Sequence, residues 1–196
     1  MAPARAAERA RRAILDMPWS FVHQVHGTEV VRASRARAVP DADAMVTDDD
    51  GLALALLGAD CALIGLSSAE GIRGAAHAGW RGLLGGVIEG TAAAMRALGA
   101  TDLVAARSPA IYPECYPFSE ADLAPLRARY GPGVLGTARD GSPALDLPAA
   151  VNLALERAGV EVLEELAGCT SCDPRFYSWR RGADSARHAL VVHAQP

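Results

Sequence analysis

Apolar residues along this chain follow two periods. Residues 52–57 form a short unbroken apolar run behind the polar stretch 41–50, the mark of a buried strand. Residues 62–66 and 72–76 are similarly short apolar runs and predict two further strands. The period then lengthens. Leu84, Val87, Ile88, Thr91, Met95 and Leu98 fall on one helical face, and Gly99 closes that helix. Upstream, Ala6, Ala10, Ile14 and Leu15 predict a helix over 3–16, and residues 21–31 read as a strand broken near Gly27. Downstream, Ser119-Glu120-Ala121-Asp122 is a capping box with Asp in place of Glu, opening a helix that ends near Gly131. Asp146-Leu147-Pro148 opens another, with Asp as cap and Pro in the first turn, ending near Gly159. Residues 160–163 and 189–194 predict strands. Strands and helices mix without strict βαβ alternation. The expected fold class is therefore α+β, mixed β-sheets flanked by helices, rather than a doubly wound sheet. No P-loop Lys or GxSxG elbow is present.

Composition narrows the class of protein. The 196 residues, 51% of them apolar, suffice for one domain with a real core, and no repeat or linker divides them. A net charge of −4 argues against a nucleic-acid partner. No apolar run approaches the ~18–20 residues of a membrane span. The Ala/Arg-rich start lacks the apolar stretch of an export signal, so the expected compartment is the cytoplasm.

Candidate chemistry concentrates at Ala76-His77-Ala78-Gly79-Trp80-Arg81-Gly82. His26, Cys61 and His77 offer two imidazoles and a thiolate, a zinc set that leaves the fourth tetrahedral position open. In an extended segment His23 and His26 point to opposite faces, and Gly27 favours His26 as the ligand. A metal-free alternative makes Cys61 a nucleophile and His77 its base. Asp60 could orient that histidine or simply accept backbone N–H groups. Asp60 and Asp43 are also the candidates for a general acid or base. Arg81 and Gly82 open the helix towards Leu98, whose N-terminus with the guanidinium would receive a phosphate or carboxylate. Trp80 either stacks on a flat substrate or fills the core. The four cysteines are expected as thiols or metal ligands. Cys169-x-x-Cys172 reads as free thiols, a redox pair, or half a zinc site completed by His188 and His193. The segment 169–181 holds three aromatics and three arginines and could wall a pocket.

Several motifs occur together and in order: Gln24-Val25-His26-Gly27, Asp43-Ala44-Met45-Val46-Thr47, Ala59-Asp60-Cys61, His77-Ala78-Gly79-Trp80-Arg81-Gly82, Pro109-Ala110-Ile111, Cys169-Thr170 and Phe176-Tyr177-Ser178-Trp179-Arg180-Arg181. In this the chain resembles the YfiH-like, or laccase-domain, proteins, also called polyphenol oxidases or peptidoglycan editing factors. The resemblance implies mixed β-sheets flanked by helices and a zinc site from His26, Cys61 and His77. It implies a purine nucleoside enzyme that phosphorolyses adenosine, inosine or methylthioadenosine, or deaminates adenosine, with nucleoside and phosphate as ligands. Cys61, His77 and Asp60 would then be catalytic, and Gln24, Arg81 and Arg180 would bind substrate. The five histidines are too few for a multicopper oxidase. Alternative readings are a hydrolase editing peptidoglycan precursors, and a member that binds ligand without turnover. The family's N-terminal segment, with its Arg-x-Gly-Gly and Asn-Leu motifs, finds no match before Phe21, so residues 1–196 are expected to form one domain lacking it. Tyr112 stands where the family carries glycine, and is expected to crowd the pocket or demand a different backbone.

Overall fold

A computed structural model describes residues 2–35 and 39–194, with side chains from residue 7 onward. The elements in chain order are α1 (Ala2–Ile14), β1 (Trp19–Ser20), β2 (Val30–Arg32), β3 (Ala44–Thr47), β4 (Ala53–Gly58), β5 (Ala62–Ser68), β6 (Arg73–Ala78), α2 (Trp80–Gly85), α3 (Val87–Ala97), β7 (Leu103–Arg107), α4 (Glu120–Tyr130), β8 (Leu135–Thr137), β9 (Pro143–Leu145), α5 (Leu147–Arg157), β10 (Val160–Glu165), α6 (Trp179–Gly182) and β11 (His188–Val192). Short 3-10 turns cover Pro113–Cys115 and Pro132–Val134.

The central sheet has the order β10-β7-β5-β6-β3-β2. Its inner pairs are antiparallel and its two outer pairs, β10 with β7 and β2 with β3, are parallel. A smaller sheet, β1-β4-β11, covers one face, and helices cover the other. Alternation along the strands sorts the core into two layers. Ala44, Val46, Ala62, Ile64, Leu66, Ala76 and Ala78 meet Leu83, Val87, Ile88, Met95, Leu123 and Val151 on the helical side. Met45, Leu63 and Ala75 meet Leu54 and Leu56 of β4 on the other. Both faces of the central strands are buried, so their sequences read as continuous apolar runs.

The two caps lie where the sequence puts them. The Ser119 hydroxyl accepts from the Asp122 backbone N–H at 3.1 Å, and the Asp146 carboxylate from that of Ala149 at 2.9 Å.

Four expectations change. First, residues 22–29 do not form a strand; they wrap as a loop between β1 and β2, and His26 has a left-handed φ of 61°. Second, the helix expected to run to Leu98 is broken at Gly86, whose φ of 92° ends α2 after six residues and caps the start of α3. Third, β7 is a central strand that the periodicity did not single out. Fourth, the stretch 41–50, read as polar, contains the fully buried strand β3; α1 forms as expected, with Ala10 exposed and Ile14 80% exposed. Ala6 lies outside the described side chains. Tyr112 has an ordinary extended φ of −99°, and its hydroxyl accepts from Gly168 N–H at 3.1 Å. It neither lines the cleft described below nor needs glycine's backbone freedom. No helix among the described residues is long and apolar enough to cross a membrane.

Candidate metal centre

The site forms where loop 24–27, the β4–β5 turn and the end of β6 meet. Asp43, fully buried just ahead of β3, joins them. Its Oδ1 accepts from His26 N–H at 2.9 Å and from His77 Nδ1 at 2.7 Å. Its Oδ2 accepts from Val25 N–H at 3.1 Å and Gly27 N–H at 2.6 Å. A single carboxylate thus folds the loop and orients the ring. Because an ionised Asp43 only accepts, the His77 proton sits on Nδ1 and Nε2 is left as the ligand atom. From sequence Asp43 is a candidate only for proton transfer. Its organising role had one visible signal, an acid embedded in small apolar residues at a strand start.

The ligand atoms of His26, Cys61 and His77 lie within 4.8 Å of one another. The two rings meet edge to face, with centroids 4.8 Å apart. The cluster runs from exposed His26 through half-buried Cys61 to buried His77. His23, the other candidate, stays at the surface against Asp41 at 2.8 Å. His26 and not His23 thus joins the cluster, and the cause is the carboxylate-bound loop and not strand alternation.

Gly79 makes room for the cluster. A Cβ there would sit 3.1 Å from both Cys61 Sγ and His26 Cδ2. Two imidazoles and a thiolate, one ring oriented by a buried carboxylate and a glycine beneath, fit a zinc ion. They form a cluster capable of coordinating a metal.

Electrostatics agree with that donor set. Burial alone would push the Cys61 thiol up, but hydrogen bonds and charge from His26 and His77 bring it down to about 7. Burial would lower His77, but Asp43 and Cys61 outweigh it and raise it to about 9. Burial would raise Asp43, but His77 and the backbone donors hold it below its usual range.

The cluster floors a cleft of about 520 Å³. Gln24, Asp60, Trp80, Arg81 and Arg180 all line it, as does Trp179 of the segment 169–181; Tyr116 and Arg187 join them without having been singled out from sequence. Their geometry refines several expectations. The Gln24 amide donates to Leu57 O at 2.7 Å and accepts from Leu57 N–H at 2.9 Å, so it pins the loop to β4. Asp60 has a left-handed φ of 86° and accepts from the Thr170 hydroxyl at 2.7 Å and Arg180 N–H at 2.8 Å. Both of its oxygens hold the far wall of the cleft. Arg81 opens a helix of only six residues, so its guanidinium, 4.6 Å over the Trp80 ring, is the cationic feature and the helix dipole is minor. Arg180 lies 5.1 Å over Tyr116. Trp80 is half-buried, packing edge-on to Phe118 at 5.7 Å while lining the cleft. His188 and His193 do not join Cys169 and Cys172; Cys115 does.

The fold and cluster define an α+β protein with a His-Cys-His cluster capable of coordinating a metal at the floor of an arginine-rich cleft. A family model described as multi-copper polyphenol oxidoreductase laccase matches residues 3–195. The chain belongs to that family. A purine nucleoside phosphorylase of Streptomyces coelicolor is 38% identical over 178 residues, covering 88% of this chain and 73% of the relative. Another from Deinococcus radiodurans is 41% identical over 178 residues, covering 89% and 69%. Among solved structures, NMB0706 of Neisseria meningitidis aligns with a TM-score of 0.85 at 30% identity, covering 95% of this chain and 79% of that one. YlmD of Geobacillus stearothermophilus aligns at 0.81 and 31% identity, with the same coverage.

Proposed function

We propose that this chain is a zinc-dependent purine nucleoside phosphorylase, with His26, Cys61 and His77 as the metal ligands. The observation that carries the reading is the placement of this open donor set at the floor of a cleft that combines cations with flat aromatic rings. The names of the relatives point to the same substrate class. Zinc held there supplies Lewis acidity at the reacting centre.

The remaining roles fall to the chain itself. Arg81, Arg180 and Arg187 provide the positive charge that a phosphate needs. Trp80 and Tyr116 offer faces for the purine. In phosphorolysis the bond from the sugar C1′ to the base nitrogen breaks, a bond from C1′ to a phosphate oxygen forms, and the base leaves with a proton. Asp43 keeps the His77 ring fixed, and Asp60 keeps the wall carrying Arg180 in place. Deamination of adenosine is a second activity that the same cleft would admit.

The test is a zinc-loaded preparation given inosine. Hypoxanthine should appear only with phosphate present, matched one-to-one by ribose 1-phosphate. Equal release without phosphate contradicts the reading. The metal-free Cys61–His77 dyad is the rival, favoured by a thiol held at about 7. Full turnover by protein shown to be free of metal would select it.

A further inference from the structure

A second group of ligands lies outside the cleft. Cys115, at the end of the 3-10 turn Pro113–Cys115, meets Cys169 and Cys172 of the loop after β10. The three Sγ atoms lie within 4.8 Å of one another, with Cys115 and Cys172 3.3 Å apart. Two of the sulfurs also face N–H donors. Tyr112 N–H points at Cys169 Sγ at 3.4 Å, and Arg139 Nη2 lies 3.1 Å from Cys172 Sγ. Glu114 Oε1 lies 3.6 Å from Cys172 Sγ. The Cys172 thiol can donate to that carboxylate while the ion is absent; once deprotonated, three thiolates this close repel each other unless a cation sits among them.

We propose that Cys115, Cys169 and Cys172 form a second, structural zinc site, with the fourth position left to Glu114 or water. Three thiolates select a soft cation, and Zn²⁺ takes such sets tetrahedrally. The Arg139 guanidinium offsets the excess negative charge. Without the ion, loss of hydration and the neighbouring thiols push Cys172 up to about 12.

The position gives the site a purpose. Cys115 precedes Tyr116, which lines the cleft, and Cys169 precedes Thr170, whose hydroxyl holds Asp60. Arg181 donates to the carbonyls of Thr170 at 3.2 Å and Asp173 at 3.0 Å, tying the same loop to α6 and Arg180. An ion at the thiols would clamp two segments of one cleft wall, 54 residues apart in sequence by the numbers 115 and 169. It would brace that wall without touching substrate.

Zinc titration of the full chain, purified under reducing conditions and stripped of metal, tests this by native mass spectrometry with mapped thiol alkylation. Wild-type protein should take about two ions per chain, and Cys61→Ala and Cys172→Ser about one each. In Cys61→Ala, zinc should protect Cys115, Cys169 and Cys172 from alkylation together and raise the melting temperature. The wild-type alkylation map reads the same site without any substitution, should Cys172→Ser misfold. The proposal is overturned if the three thiols alkylate at the same rate with and without zinc. A Cys115–Cys172 disulfide that persists in the reduced protein overturns it too. Either result leaves the cleft's own zinc and turnover to be judged separately through Cys61→Ala.

Discussion

At Asp43 one side chain accepts four hydrogen bonds, three from the backbone of residues 25–27 and one from His77. Asp43→Asn keeps the shape but turns an N–H₂ group towards donors. Zinc affinity should fall by about 10–100-fold, as when an outer partner of a ligating His is lost. Stability should drop by about 1–3 kcal/mol. A zinc competition titration and a urea melt read the two effects. Gly79→Ala is sharper in aim, because its Cβ would meet only Cys61 and His26 closely. It should weaken zinc binding while leaving the melting temperature of the metal-free protein nearly unchanged.

The acidities at the site set a pH dependence. His77 is raised from 6.5 to about 9, so its contribution is complete below 6.5 and is lost as pH climbs through 9. Cys61 is lowered from 9.0 to about 7, so its contribution is complete above 9 and is lost as pH falls through 7. The two offset each other between about 7 and 9, and metal-free stability should be nearly flat there. Zinc affinity should instead climb over that window, because His77 keeps its extra ring proton up to about 9 and must lose it before the ion binds. Asp43, held below 3.8, adds stability above that value that is lost as pH falls through its folded value. Affinity that stays constant from pH 7 to 9 would argue against His77 as a ligand.

At the scale of elements, the strands β4, β5, β6, β10 and β11 and the capped helices α4 and α5 were readable because local pattern and tertiary burial agree. Loop 22–29 was not readable, since its course is set by a carboxylate about 16–18 residues away and not by its own alternation. The α2–α3 break had a local signal in the Gly85-Gly86 pair, outweighed by the apolar face that continues across it. Gly86→Ala tests that break. The new Cβ would carry a left-handed φ and lie 2.8 Å from Arg129 Nη2. A loss of about 1–2 kcal/mol is expected by urea denaturation, with zinc stoichiometry unchanged. The third thiol was missed because Cys115 lies far from the Cys169-x-x-Cys172 spacing, and only the fold brings them together.

For the whole molecule, two sheets and a helical layer converge on one cleft, and residues from position 24 to position 187 line it. The site residues expected from sequence motifs all reach that cleft. Gln24 and Asp60, however, spend their polar atoms on holding its walls. The central claim is that the His26, Cys61 and His77 cluster binds zinc and that this zinc is required for splitting nucleosides with phosphate. The most direct measurement compares wild type and Cys61→Ala, both confirmed folded, for hypoxanthine release from inosine with phosphate and for zinc retained at the cleft. The account predicts that Cys61→Ala loses that zinc and the phosphate-dependent release together. Release by Cys61→Ala at the wild-type rate would contradict it.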